Sequence, residues 1–148
     1  MYKKLFLAVG VLASAETVFA QTREGELQSM YIEYLREEGY FPQVDDDGDI
    51  LFKASGDIYY IIVDADDLAF FQLYKQLNIG RFDLAVVRRA VNYTNRTTKV
   101  AKVFISSGEK TVGIKVDQML GKPDDFKAIF KRLLSIMYTA EVNLNSQL

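Results

Sequence analysis

The sequence predicts an α+β domain: one antiparallel β-sheet with α-helices packed on it, in the order α-β-β-β-α-β-β-α. Three observations carry that expectation. Apolar residues recur at helical spacing in three separate segments, short β-branched and aromatic runs lie between them, and Gly, Asp and Ser clusters punctuate those runs.

The N-terminal "MYKKLFLAVGVLASAETVFAQ" precedes the domain. Lys3 and Lys4 give it a basic start, Leu5 to Ala13 form an apolar run too short to span a bilayer, and Val18 and Ala20 stand at the small-residue positions of a cleavage site. Residues 1–20 are therefore expected to be a signal peptide cut before Gln21, with residues 21–148 a single exported domain, periplasmic or secreted. Glu16 is an unusual charge for such a segment. Gln21 is not a cysteine, so a lipid anchor on that residue is excluded, and no second apolar run is long enough for a membrane helix.

The first element of the domain is a helix, with Leu27, Met30, Tyr31, Tyr34 and Leu35 on one stripe and Gly39 just past its last turn. "ILFKA" and "DIYYIIV" read as strands, and "LAFFQLYKQL", which has helical character too, reads as a third because "DADD" turns the chain before it. "FDLAVVRRAVNYTNRT" is a helix capped by Asp83, with Leu84, Val87 and Val91 inward. "KVAKVFIS" and "KTVGIKVDQM" are strands joined by "SGE", and Val112, Ile114 and Val116 alternate with Lys115 and Asp117. "KPDDFKAIFKRLLSIMYTAEVNL" closes the domain as a helix with Pro123 first and Phe126, Ile129, Phe130, Leu133 and Met137 inward.

The stretch from Val44 to Asp67 holds eight aspartates and two glycines. Aligned as an EF-hand loop on Gly48, position 1 is Gln43 and position 12 is Ala54, so the charged ligand at each end is missing. The stretch reads instead as turns: Asp47-Gly48 as a two-residue hairpin with positive φ at both positions, then Ser55-Gly56-Asp57, then Ala65-Asp66-Asp67. No metal site is expected there.

Composition narrows the chemistry. The chain has no histidine and no cysteine, which removes the common nucleophile–base pairs and thiolate or imidazole zinc sites. No glycine-rich phosphate cradle is present, and no cofactor is expected. A formal charge of −2 speaks against nucleic acid. What remains for catalysis is a carboxylate pair such as Asp64 with Asp66 or Asp67, the basis of an alternative reading as a carboxylate-based or cation-dependent hydrolase centred on the Asp64–Asp67 turn. "NYT" and "NRT" place glycosylation patterns at Asn92 and Asn95.

"GDILFKASGDIYYIIVDADDLAFFQLY", "VNYTNRTTKVAKVFI" (with Asn92 and Asn95 ahead of Lys99 and Val100) and "PDDFKAIFKRLL" resemble the YbjN-like proteins, which share a fold with type III secretion chaperones. The resemblance implies a small α+β interaction module, often dimeric, with no catalytic residue to carry over. A signal peptide departs from that pattern, so a cytoplasmic chaperone role does not transfer. In "DIYYIIVD" and "FFQL" both parities are apolar, and helices on one side of a sheet cover only one of its faces. The expected function is thus a non-enzymatic, homodimeric module that binds a protein or peptide partner. Tyr59, Ile61, Val63, Phe71 and Leu73 are the expected uncovered interface.

Overall fold

The computed structural model describes the backbone of residues 5–148 and the side chains of residues 18, 19 and 21–148. Residues 1–4, which hold the basic start of the expected signal peptide, lie outside the described residues. The elements are α1 (Leu5–Glu37), β1 (Gln43–Val44), β2 (Ile50–Ala54), β3 (Asp57–Ile62), β4 (Phe70–Asn78), α2 (Leu84–Thr97), β5 (Lys102–Ile105), β6 (Thr111–Met119) and α3 (Phe126–Asn145), the last entered through a 3-10 turn at Pro123–Asp125. The order is α-β-β-β-β-α-β-β-α, an α+β fold that differs from expectation by the two-residue strand β1 and by an α1 that starts at Leu5 and runs unbroken through the expected cut before Gln21. "LAFFQLYKQL" is a strand, as its aromatic content and the turn before it require.

All six strands form one antiparallel sheet in the order β1-β2-β3-β4-β6-β5. α2 lies in the connection between β4 and β5, while β6 returns to the middle of the sheet beside β4. The hairpin turns are built differently from expectation. At Asp47-Gly48 only Gly48 has positive φ (88°), and the Asp45 N–H donates to the Asp49 carbonyl across a three-residue loop. The Asp45 side chain supplies what the second positive φ would have: its Oδ1 accepts from the N–H groups of Asp47 and Asp49, both at 3.0 Å. The two-residue turn with positive φ at both positions occurs instead at Ser55-Gly56 (53° and 91°), closed by the Ala54–Asp57 pair.

The helices cover one face only. From that face Ile50, Phe52, Tyr59, Ile61, Phe71, Leu73, Val112, Ile114 and Val116 join Leu27, Tyr31, Tyr34 and Leu35 of α1, Val87 and Ala90 of α2, and Phe126, Phe130, Leu133, Met137 and Ala140 of α3 in a single core. Rings knit the layers: Tyr31–Phe126 and Tyr34–Phe126 meet edge-to-face at 5.0 Å, and Phe71 stacks on Phe126 at 5.3 Å. Each such pair adds about 1 kcal/mol beyond its buried area.

The expected stripe of α2 is rotated slightly. Val87, Ala90 and Thr94 are its buried positions, while Leu84 and Val91 are half-buried at the margins. The small Ala90 and Thr94 let α2 approach α3, and Thr94 satisfies its own hydroxyl by donating to the Ala90 carbonyl. Met30 of α1 and Ile129 of α3 are likewise half-buried margins of their stripes. β5 starts only at Lys102 because Val100 has φ 71° and turns the chain just before it.

Candidate binding face

The interface expected on Tyr59, Ile61, Val63, Phe71 and Leu73 is not an open surface. Tyr59, Ile61, Phe71 and Leu73 are buried under the helices, and Val63 packs partly against the same core. The physical reason is parity. Side chains alternate across a strand, so when one set turns inward the neighbouring set must turn outward.

The outward set mixes apolar and aromatic side chains with Lys53, Gln72 and Gln76, and no described helix covers it. One cross-strand row runs across all six strands: Gln43, Leu51, Tyr60, Tyr74, Lys115 and Lys102, each opposite the next in the ladder. Ile58, Ile62, Phe70, Phe104 and Met119 flank it on the same face, with Ile58, Phe104 and Met119 exposed. The Tyr60 and Tyr74 rings lie 6.1 Å apart and the Tyr74 and Phe104 rings 6.4 Å apart. Phe104 reaches Tyr74 by crossing Gly113 of β6, where a Cβ would stand 2.4 Å from the ring's Cζ. Only glycine admits the ring at that point, and the ring in turn shields the bare backbone. Burial by its neighbours raises the Tyr74 hydroxyl pKa, and Tyr60 adds to the rise.

The row ends in charge. Lys102 and Lys115 both contact Asp117 Oδ2, at 2.8 and 3.1 Å, while the Gln72 amide donates to Asp117 Oδ1. Burial pushes the Asp117 carboxyl up, but the hydrogen bonds from Lys102, Gln72 and Lys115 outweigh it and hold the pKa below the ordinary range. The open face thus carries Leu51, Tyr60 and Tyr74 amid Lys53, Gln72 and Gln76 from β2 to β4, and a Lys102–Asp117–Lys115 cluster over β6 and β5.

On the covered face Lys75 is buried, with the Asp57 carboxylate 2.9 Å away, Glu141 in direct contact and its Nζ 5.0 Å from the centre of the Tyr59 ring. Burial lowers the Lys75 pKa, yet the hydrogen bonds it donates to Glu141 and Asp57 more than reverse this and leave it raised. A nucleophilic amine needs the opposite shift. This cluster pins α3 to β3 and β4.

The acids of the alternative hydrolase reading serve the backbone. Asp64 Oδ1 accepts from the N–H groups of Asp66 (2.9 Å) and Asp67 (3.1 Å), and Asp67 Oδ1 accepts from Ala69 (3.2 Å). Among the described residues no three His, Cys, Asp or Glu side chains gather as a metal site. Nor is any described helix long and apolar enough to cross a membrane. Of the two glycosylation patterns, Asn92 is exposed on α2, whereas the Asn95 amide is committed to hydrogen bonds with Val103.

No family model and no curated protein sequence matches this chain. Solved structures do. An uncharacterized protein from Methanothermobacter thermautotrophicus superposes with a TM-score of 0.60 at 12% identity, over 80% of this chain and 93% of its own. YbjN from E. coli, described as a candidate transcription regulator, superposes with a TM-score of 0.58 at 10% identity, over 80% of this chain and 89% of its own. The fold is YbjN-like, as the sequence resemblance implies. Likeness at this identity establishes architecture alone.

Proposed function

We propose that this chain is an exported, non-enzymatic binding module that pairs with a second copy of itself through the open face of its sheet. The observation that carries the reading is the row Leu51–Tyr60–Tyr74–Lys115–Lys102 with its flanking apolar side chains, which no described helix covers. A contiguous apolar patch of this kind is an interaction surface in soluble proteins, and its tyrosines are the residue type enriched at such contacts. The row is self-complementary. A two-fold axis near Tyr74 sets ring against ring and brings the lysine end of one row over the Leu51–Tyr60 end of the other, where cations meet aromatic faces rather than each other.

Export is supported by the order of basic start, apolar run and small-residue site. Val18 and Phe19, the two described side chains ahead of the expected cut, are exposed, in keeping with their removal. The structural relatives leave the absence of catalysis as part of the proposal: one is uncharacterized and the other a candidate regulator.

Light scattering of the purified protein tests the pairing. The expected mass is about twice that of one chain, and Tyr74→Asp, which buries an unpaired charge at the centre of the contact, is expected to give folded monomers. A folded monomer in the unmutated protein contradicts the proposal. N-terminal sequencing of the same sample is expected to begin at Gln21.

A further inference from the structure

The outer edge of the sheet carries a second, independent feature. β5 is an edge strand, and its register fixes which of its backbone groups point away from β6. The Ser106 N–H donates to the Thr111 carbonyl, so hydrogen-bonded pairing with β6 falls at Ser106, Phe104 and Lys102. The N–H and C=O groups of Ala101, Val103 and Ile105 therefore face outward, the arrangement that invites another strand.

Val103 is taken in full and Ala101 through its N–H. The Asn95 side chain, reaching from α2, makes both hydrogen bonds that a neighbouring peptide group would make: its Nδ2 donates to the Val103 carbonyl and its Oδ1 accepts from the Val103 N–H, each at 2.8 Å. At Ala101 the N–H turns back to the Lys99 carbonyl at 2.8 Å, around Val100 with φ 71°. That conformation is strained for a β-branched residue, so the edge is closed there at a cost. Among the described residues the Ala101 carbonyl and both groups of Ile105 remain available.

We infer that the β5 edge is a strand-pairing surface for a second copy of this chain, held shut by the Asn95 amide. The edge suits its own image. Antiparallel pairing about a two-fold at Val103 sets Lys102 opposite Phe104 of the other copy, and Ala101 opposite Ile105, with no like charges facing. With Asn95 in place the edge stays single. The inference does not depend on the open face being a contact.

Two measurements on the full chain test it. In the unmutated protein the Val103 amide, though on a free edge, is expected to resist hydrogen exchange, and Asn95→Ala to speed it at least tenfold in the monomeric state. A Val103 amide that already exchanges as freely as an exposed one overturns the proposal. In a Tyr74→Asp background, Asn95→Ala is expected to double the particle mass relative to its parent, whatever the parent's mass. Adding Ile105→Pro, which removes an outward N–H that the paired edge needs, is expected to restore the parent mass. A folded Asn95→Ala protein with unchanged mass, or one whose doubled mass survives Ile105→Pro, contradicts the inference. A dimeric Tyr74→Asp parent counts against the open face alone.

Discussion

Lys75 and Gly113 show how single residues hold the two sides of the sheet. Lys75 is 2% exposed and its charge is balanced by Asp57 and Glu141. Lys75→Met leaves those carboxylates facing each other, Glu141 nearly buried, and is expected to lower stability by about 3 kcal/mol in urea unfolding. Lys75→Met with Glu141→Leu is expected to recover most of the loss. The pH dependence has a definite sign. Because the folded-state pKa of Lys75 is raised, its contribution is complete below the ordinary lysine pKa and disappears as pH climbs through the raised value. The unmutated protein is therefore expected to weaken in strong alkali more steeply than the double variant. Gly113→Ala on the opposite face drives a methyl group into the Phe104 ring and breaks its stack on Tyr74. Its expected cost is about 1–2 kcal/mol, and most of that cost should vanish in a Phe104→Ala background. Neither residue was legible as special from the sequence. A lysine within "FFQLYKQL" and a glycine within "KTVGIKV" reveal their roles only once the strands opposite them are known.

Elements were more legible than residues, and the misses have local causes. Asp83 caps α2 as expected, its Oδ1 accepting from the Ala85 and Val86 N–H groups. Pro123 opens the approach to α3, though in a 3-10 turn, because three residues complete that turn before Phe126 enters the core. β1 escaped notice because two residues carry no periodicity, and Gln43 and Val44 pair only because Asp45 folds the chain back. The parity of β3 and β4 was undecidable by pattern: with apolar side chains on both faces, period 2 says that two faces exist and not which one meets the helices. The expected contact residues thus lie one position out of phase with the open set, Tyr59 and Ile61 in place of Tyr60 and Ile62. Asn95 drew attention as part of a glycosylation pattern. Its hydrogen bonds to Val103 span a loop whose course the sequence does not dictate.

At the scale of the whole molecule, one asymmetry organises the account. Three helices share one face of a six-stranded sheet, so a chain with ten phenylalanines and nine tyrosines has more apolar strand surface than its helices cover. That excess was visible in the sequence, and so was the want of histidine and cysteine that turns the functional question from catalysis toward contact. The absence of native cysteine also makes the contact directly measurable. A single cysteine at Gln76, exposed on the open face, is expected to give a covalent dimer on mild oxidation, whereas one at Arg89, exposed on α2 across the molecule, is expected to leave the chain single. Cross-linking at Arg89 with none at Gln76 would contradict the open face as the surface through which copies of this protein meet.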